Sequence, residues 1–199
     1  MTKRLLDVAF SAGGLLLLSP VLVAIAAWVR LDSAGPALYR QERVGRDGAS
    51  FRIHKFRTMR NEPASAERQI TIGADPRVTR AGRFLRRNKI DELPQLIDVL
   101  FGDMSLVGPR PEVPHYVATY PDEIRAKVLS VRPGITDPAS LQFRNESELL
   151  ASAADPEREY REVVLPAKLR LAVDYVDNAT LGSDLRLLGL TLRTLVTSR

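Results

Sequence analysis

Over its first thirty residues the chain does not alternate apolar and polar positions at all. Residues 5–29, LLDVAFSAGGLLLLSPVLVAIAAWV, are apolar apart from Asp7, two serines and small residues. About 20 such residues cross a hydrocarbon core of roughly 30 Å, and the run exceeds the roughly 7 to 15 of a signal-peptide core, so it is expected to stay in the membrane. Lys3 and Arg4 precede it and Arg30, Arg40 and Arg43 follow, which draws both ends to the cytoplasmic side. Ser19-Pro20 lies near its middle. A proline there removes one helical hydrogen bond and favours a kink, and a neighbouring hydroxyl is available to the freed carbonyl. From these residues alone, a spanning helix and a re-entrant helix that turns back to the same face both fit.

Beyond residue 32 the pattern changes repeatedly. Residues 37–58 read as two short strands around GRDG, with Asp47-Gly48 as the hairpin turn and Lys55 and Arg57 closing the second strand. Residues 61–76 read as a polar loop. TRAGRFLRR, 79–87, predicts a short helix that spaces Arg80, Arg83, Arg86 and Arg87 along one side. In NKIDELPQLIDVL, 88–100, the spacing of Leu93, Leu96, Ile97 and Leu100 predicts an amphipathic helix with Pro94 in its first turn. FGDMSLVGPRPE (101–112) and VRPGITD (131–137) predict fixed irregular loops, the first holding Arg110 between two prolines. Two amphipathic helices follow: PAKLRLAVDYV in the core, and SDLRLLGLTLRTLV at the bilayer surface with Ser183 or Asp184 as its N-cap. The fold class expected is α+β, helix-rich, with a membrane helix over 1–32 and one further folded unit over 33–199.

Composition narrows the chemistry. No cysteine is present among the 199 residues, which excludes disulfides, zinc–thiolate sites and cysteine nucleophiles. A net charge of +5 calls for an anionic partner: membrane surface, phosphorylated substrate or nucleic acid. Aromatics at 6% and the lack of any nucleic-acid-binding motif set the last aside.

Asp91 and Glu92 stand side by side before Leu-Pro. As helix caps they would bond free backbone amides. A carboxylate so bonded has a depressed pKa and stays ionised, which also suits a nucleophile or a metal ligand. The arginines ahead of the pair form either a solvated face or a phosphate site.

KRLLDVAFSAGGLLLLSPVLV, FRIHKFRTM, LRRNKIDELPQL, GDMSLVGPRP, RPGIT and YVDNATLGSDL together resemble the bacterial sugar transferases, in particular the small monotopic polyprenyl-phosphate phosphoglycosyl transferases. The resemblance covers nearly the whole chain. It implies transfer of sugar-1-phosphate from a UDP-sugar to polyprenyl phosphate at the cytoplasmic face of the bacterial inner membrane, with release of UMP. Asp91 would be the nucleophile of a covalent intermediate, and Glu92 a second catalytic carboxylate holding Mg²⁺. Lys55, Arg86 and Arg110 would bind substrate phosphate, and Ser19 and Pro20 would form the helix break of a re-entrant helix. Membrane lipids are a further implied partner. A catalytically silent scaffold of the same fold is the rival, and the intact Asp91-Glu92, Lys55 and Arg110 argue against it. Lys89 stands where the family often has Ser, Asp98 where Asn is usual, and Asp137-Pro138 follow GIT in place of Gly.

Overall fold

The computed structural model describes residues 2–60, 73 and 75–197, so most of the polar loop expected over 61–76 lies outside the described residues. Helix α1 runs continuously from Thr2 to Asp32 with Pro20 inside it. Pro20 leaves the carbonyl of Leu16 without its usual amide, and Ser19 Oγ donates to that oxygen at 2.8 Å. The pair thus costs the helix one backbone bond without ending it. The middle of α1 is bare, with Leu16 and Leu17 each 79% exposed.

Both ends of α1 dock on the same folded body. At the start, Arg4 donates to Val99 O and Leu100 O, Asp7 accepts from Ser105 Oγ and the Leu106 amide, and Lys3 pairs with buried Asp184. At the far end, Ile25 and Val29 pack with Phe56, Ala81 and Leu85. Asp32 accepts from the Ala81 amide at 2.9 Å, and Arg57 donates to Val29 O and Ser33 O.

The hairpin follows the predicted pattern. Strand β1 (Leu38–Val44) pairs antiparallel with β2 (Ser50–Phe56), in register from Leu38↔Phe56 to Val44↔Ser50. Asp47 and Gly48 both take positive φ in the turn. Helix α2 (Arg80–Arg87) is capped by Thr79, whose side chain accepts from the Gly82 amide. It lies so close to the exit of β2 that a Cβ on Gly82 would come 2.0 Å from Thr58 O.

The two stretches expected to be irregular loops instead pair with each other. Ile90–Gln95 forms a 3₁₀ turn, helix α3 covers Leu96–Phe101, and β3 (Ser105–Val107) follows. Strand β4 (Gly134–Thr136) lies parallel to β3, Ser105 opposite Gly134 and Val107 opposite Thr136. Proline and glycine mark this segment because of close approach: a Cβ on Gly134 would stand 2.1 Å from Gly108 N. Gly134→Ala is therefore expected to force the strands apart at a cost of about 3 kcal/mol, read as a lowered thermal midpoint.

The remaining helices are α4 (Pro114–Val117), α5 (Asp122–Val128), α6 (Pro138–Gln142), α7 (Glu146–Ala151), α8 (Pro156–Glu159), α9 (Leu165–Asn178) and α10 (Leu181–Thr197). A π-helical turn, Tyr160–Val164, joins α8 to α9. Their core gathers Tyr116, Val117, Leu150, Tyr160, Val164, Leu165 and Leu169, so the first C-terminal amphipathic segment is buried as predicted. α10 keeps Leu185 and Leu192 exposed, at 49% and 63%. Its cap is neither Ser183 nor Asp184. Thr180 and Ser183 exchange side-chain bonds with each other's amides, and Asp184 turns inward to Lys3 and Tyr175.

Candidate active site

The segment Ile90–Phe101 departs from its predicted face. Residues Asp91, Pro94, Gln95, Asp98 and Val99 are buried, while Leu93, Leu96, Ile97 and Leu100 are only partly so. The apolar stripe is turned toward α1, where a Cβ on Gly14 would lie 3.3 Å from Leu96 Cδ1. The polar face is the one folded into the domain. Asp98 accepts from the backbone amide of His54 at 2.9 Å and its other oxygen lies 2.6 Å from His54 Nδ1. That clamp fixes β2 against α3 and brings the next residue, Lys55, to the acidic pair.

Neither carboxylate acts as the expected helix cap. The turn opens at Lys89, which has a left-handed backbone (φ 55, ψ 23), with no side-chain cap. Asp91 is 7% exposed, and its Oδ1 has no hydrogen-bond partner. Its pKa is raised, not depressed: burial outweighs the pull of Lys55 and Arg86.

Glu92 has the opposite fate. Lys55 Nζ lies 2.8 Å from Glu92 Oε1. Arg110 Nη1 donates to Oε2 at 3.1 Å while Nη2 bonds Oε1, a two-pronged contact. Burial would raise the Glu92 pKa, yet Arg110 and Lys55 together hold it well below the usual carboxylate range. Arg110 is raised in turn, chiefly by Glu92. Arg86 donates from Nε to Thr58 Oγ1 at 2.8 Å and reaches Met59 Sδ. Burial lowers its pKa, against the pull of Asp91 and Asp75.

All five predicted polar residues, Lys55, Arg86, Asp91, Glu92 and Arg110, line one open cleft of about 1230 Å³. Ser19 and Pro20 are not among its walls. Phe10, Leu96, Leu106 and Leu185 line the same cleft, as do Arg43, Glu112, Lys168 and Tyr160.

Sequence reasoning missed several supports. Glu112 receives the Tyr160 hydroxyl at 2.7 Å and pairs with Arg43. Asp137, noted only as a departure from the family pattern, caps α6 through the Ser140 amide and accepts from the Arg110 amide at 3.3 Å. The signal for Asp137 was its place before Pro138, the first helical position.

The bacterial sugar transferase family matches residues 1–198. A UDP-glucose:undecaprenyl-phosphate glucose-1-phosphate transferase of Caulobacter vibrioides is 37% identical over 210 aligned positions, covering 100% of this chain and 71% of that protein. A protein of the same name in Escherichia coli is 44% identical across 75% of this chain and 33% of its own length. A UDP-N-acetylgalactosamine-undecaprenyl-phosphate N-acetylgalactosaminephosphotransferase of Aeromonas hydrophila is 36% identical over 98% of this chain and 44% of its own. The chain thus spans less than half the length of the last two. With the match running from the start of α1 to the end of α10, and DELP and GPRP meeting in one cleft, this chain belongs to the bacterial sugar transferase family.

Proposed function

We propose that the protein transfers sugar-1-phosphate from a UDP-sugar to polyprenyl phosphate through a covalent intermediate on Asp91. The carrying observation is the contrast between two neighbouring carboxylates. Asp91 is buried with one oxygen unpartnered, whereas Glu92 is neutralised by Lys55 and Arg110. A carboxylate stripped of water and hydrogen bonds keeps its electron pair available.

An Asp91 oxygen attacks the β-phosphorus of the donor, forming a phosphorus–oxygen bond as the bond to the bridging oxygen breaks. UMP leaves with that oxygen. A phosphate oxygen of polyprenyl phosphate then attacks the same phosphorus, and the Asp91 carboxylate departs unchanged. Lys55, Arg86 and Arg110 neutralise the phosphate charge that these steps concentrate in the cleft.

Mg²⁺ needs hard oxygen donors, and one or two carboxylates beside substrate phosphates suffice. No cluster of three or more acidic or histidine ligands exists among the described residues, but a carboxylate oxygen accepts more than one bond, so Glu92 keeps acceptor capacity beyond its contacts with Lys55 and Arg110. Glu92 would hold the ion and leave the Asp91 oxygen to react, and the ion's chemistry would be charge neutralisation on the diphosphate.

The long apolar helix and the relatives' undecaprenyl-phosphate substrates support a membrane setting. The docking of both ends of α1 on one body supports a re-entrant helix, and the basic residues flanking it at both ends support a cytoplasmic face for the catalytic unit. A spanning helix would have to give up one of the two sets of contacts. The exposed leucines of α10 suit the lipid interface.

The test is UMP release by purified protein with Mg²⁺ and polyprenyl phosphate across a panel of UDP-sugars. Release is expected from one sugar, ceasing on chelation and returning when Mg²⁺ is restored. Absence of UMP with every sugar would overturn the reading.

A further inference from the structure

Four cations stand around the acidic pair: Lys55, Arg86, Lys89 and Arg110. Three of them are engaged. Lys55 and Arg110 both bind Glu92, and Arg86 bonds Thr58. The Lys89 side chain has no hydrogen-bond or ion-pair partner among the described residues, although it lines the cleft beside Glu92 and Asp91.

The backbone at Lys89 adds a second, independent observation. Asn88 ends α2, and Lys89 occupies the left-handed position just beyond it, with its amide bonded to Arg86 O at 3.1 Å. Glycine is the usual residue there, because a Cβ strains this conformation. Among described non-glycine residues only Asp47 and Lys89 have positive φ. Asp47 sits in a hairpin turn where aspartate is a common occupant. A lysine at the end of α2 suits the helix dipole, but that preference does not extend to a left-handed backbone, and the strained residue stands at the mouth of the cleft.

We propose that Lys89 is a phosphate-binding residue of this cleft, a free cation held at the end of α2 to take an oxygen of an incoming phosphate. The inference rests on the reading of the cleft as a phosphosugar transfer site. Two substrates carry that chemistry, the donor diphosphate and the lipid phosphate, and the same cation serves whichever reaches it first.

The test uses three variants of the full-length protein in detergent. Lys89→Gly relieves the backbone strain and removes the charge, Lys89→Ser removes only the charge, and Lys89→Arg keeps it. Lys89→Gly is expected to raise the thermal midpoint while raising KM about tenfold, the effect of losing one charge-assisted hydrogen bond, with kcat within about twofold. Lys89→Ser should raise KM alike, and Lys89→Arg should restore it. A KM rise for the UDP-sugar names the donor as ligand, and one for polyprenyl phosphate names the lipid.

Unchanged KM for both substrates in Lys89→Gly and Lys89→Ser would overturn the proposal while leaving the transfer reaction standing. Equilibrium binding of UDP and of polyprenyl phosphate, measured without turnover, separates the two failures. If the wild type releases no UMP but either anion binds about tenfold more weakly to Lys89→Ser, the phosphate site stands and the reaction falls. Equal binding of both anions to wild type and Lys89→Ser would overturn the site.

Discussion

Asp91→Asn is expected to lower UMP release by at least about 10³-fold, the scale seen when a covalent nucleophile is removed, while the protein folds as before or slightly more stably. The amide keeps the shape but gives up the carboxylate's negative charge. Stability should not fall, because the wild-type carboxylate is buried with Oδ1 unpartnered and burial raises its pKa. A group whose folded pKa is raised favours folding below its unfolded pKa and loses that contribution as pH rises through the folded value. The charged form at neutral pH is thus a burden on the fold, and the asparagine variant removes it. Rate and thermal midpoint measured together check both halves, and substantial UMP release by Asp91→Asn would end the covalent mechanism.

Arg110→Ala is expected to lose both stability and activity. Its guanidinium makes the two-pronged contact with Glu92, whose side chain is 13% exposed. Removing one member of a buried pair strands the other. Because Arg110 itself is 33% exposed, the loss should be about 2 kcal/mol, less than for a fully buried pair. Glu92→Gln in the same chain should recover part of it, and a double-mutant cycle in urea reads the coupling.

The acid dependence follows from Glu92. Its folded pKa lies well below the ordinary value because Arg110 and Lys55 oppose its burial. The pair's contribution is therefore present above the unfolded glutamate pKa of about 4.3 and is lost as pH falls through the lower folded value. The difference in stability between wild type and Arg110→Ala should shrink across that acid window. A difference that stays constant with pH would detach the effect from this ion pair.

Local elements were legible along the chain. The mostly apolar run over residues 5–29 made a long helix, Asp47-Gly48 closed a hairpin, Thr79 began α2 and the arginines fell on it at helical spacing. Each of these depends on neighbours a few positions apart. The motif residues of the site were legible too, since DELP, GPRP and the FRIHKF lysine carry the resemblance to the sugar transferases.

How distant pieces meet depends on packing across the whole fold. The apolar stripe of 93–100 predicted the wrong buried face, because α1 takes the leucines and Asp98 turns in to hold His54. Two loops became one parallel sheet, since Gly108 and Gly134 permit an approach no local pattern reveals. Asp184 left its capping role for Lys3, 181 positions away. Adjacent Asp91 and Glu92 acquired opposite electrostatics for the same reason. Their intrinsic pKa values are nearly alike, and only the folded arrangement sends Lys55 and Arg110 to Glu92 while leaving an oxygen of Asp91 buried without a partner.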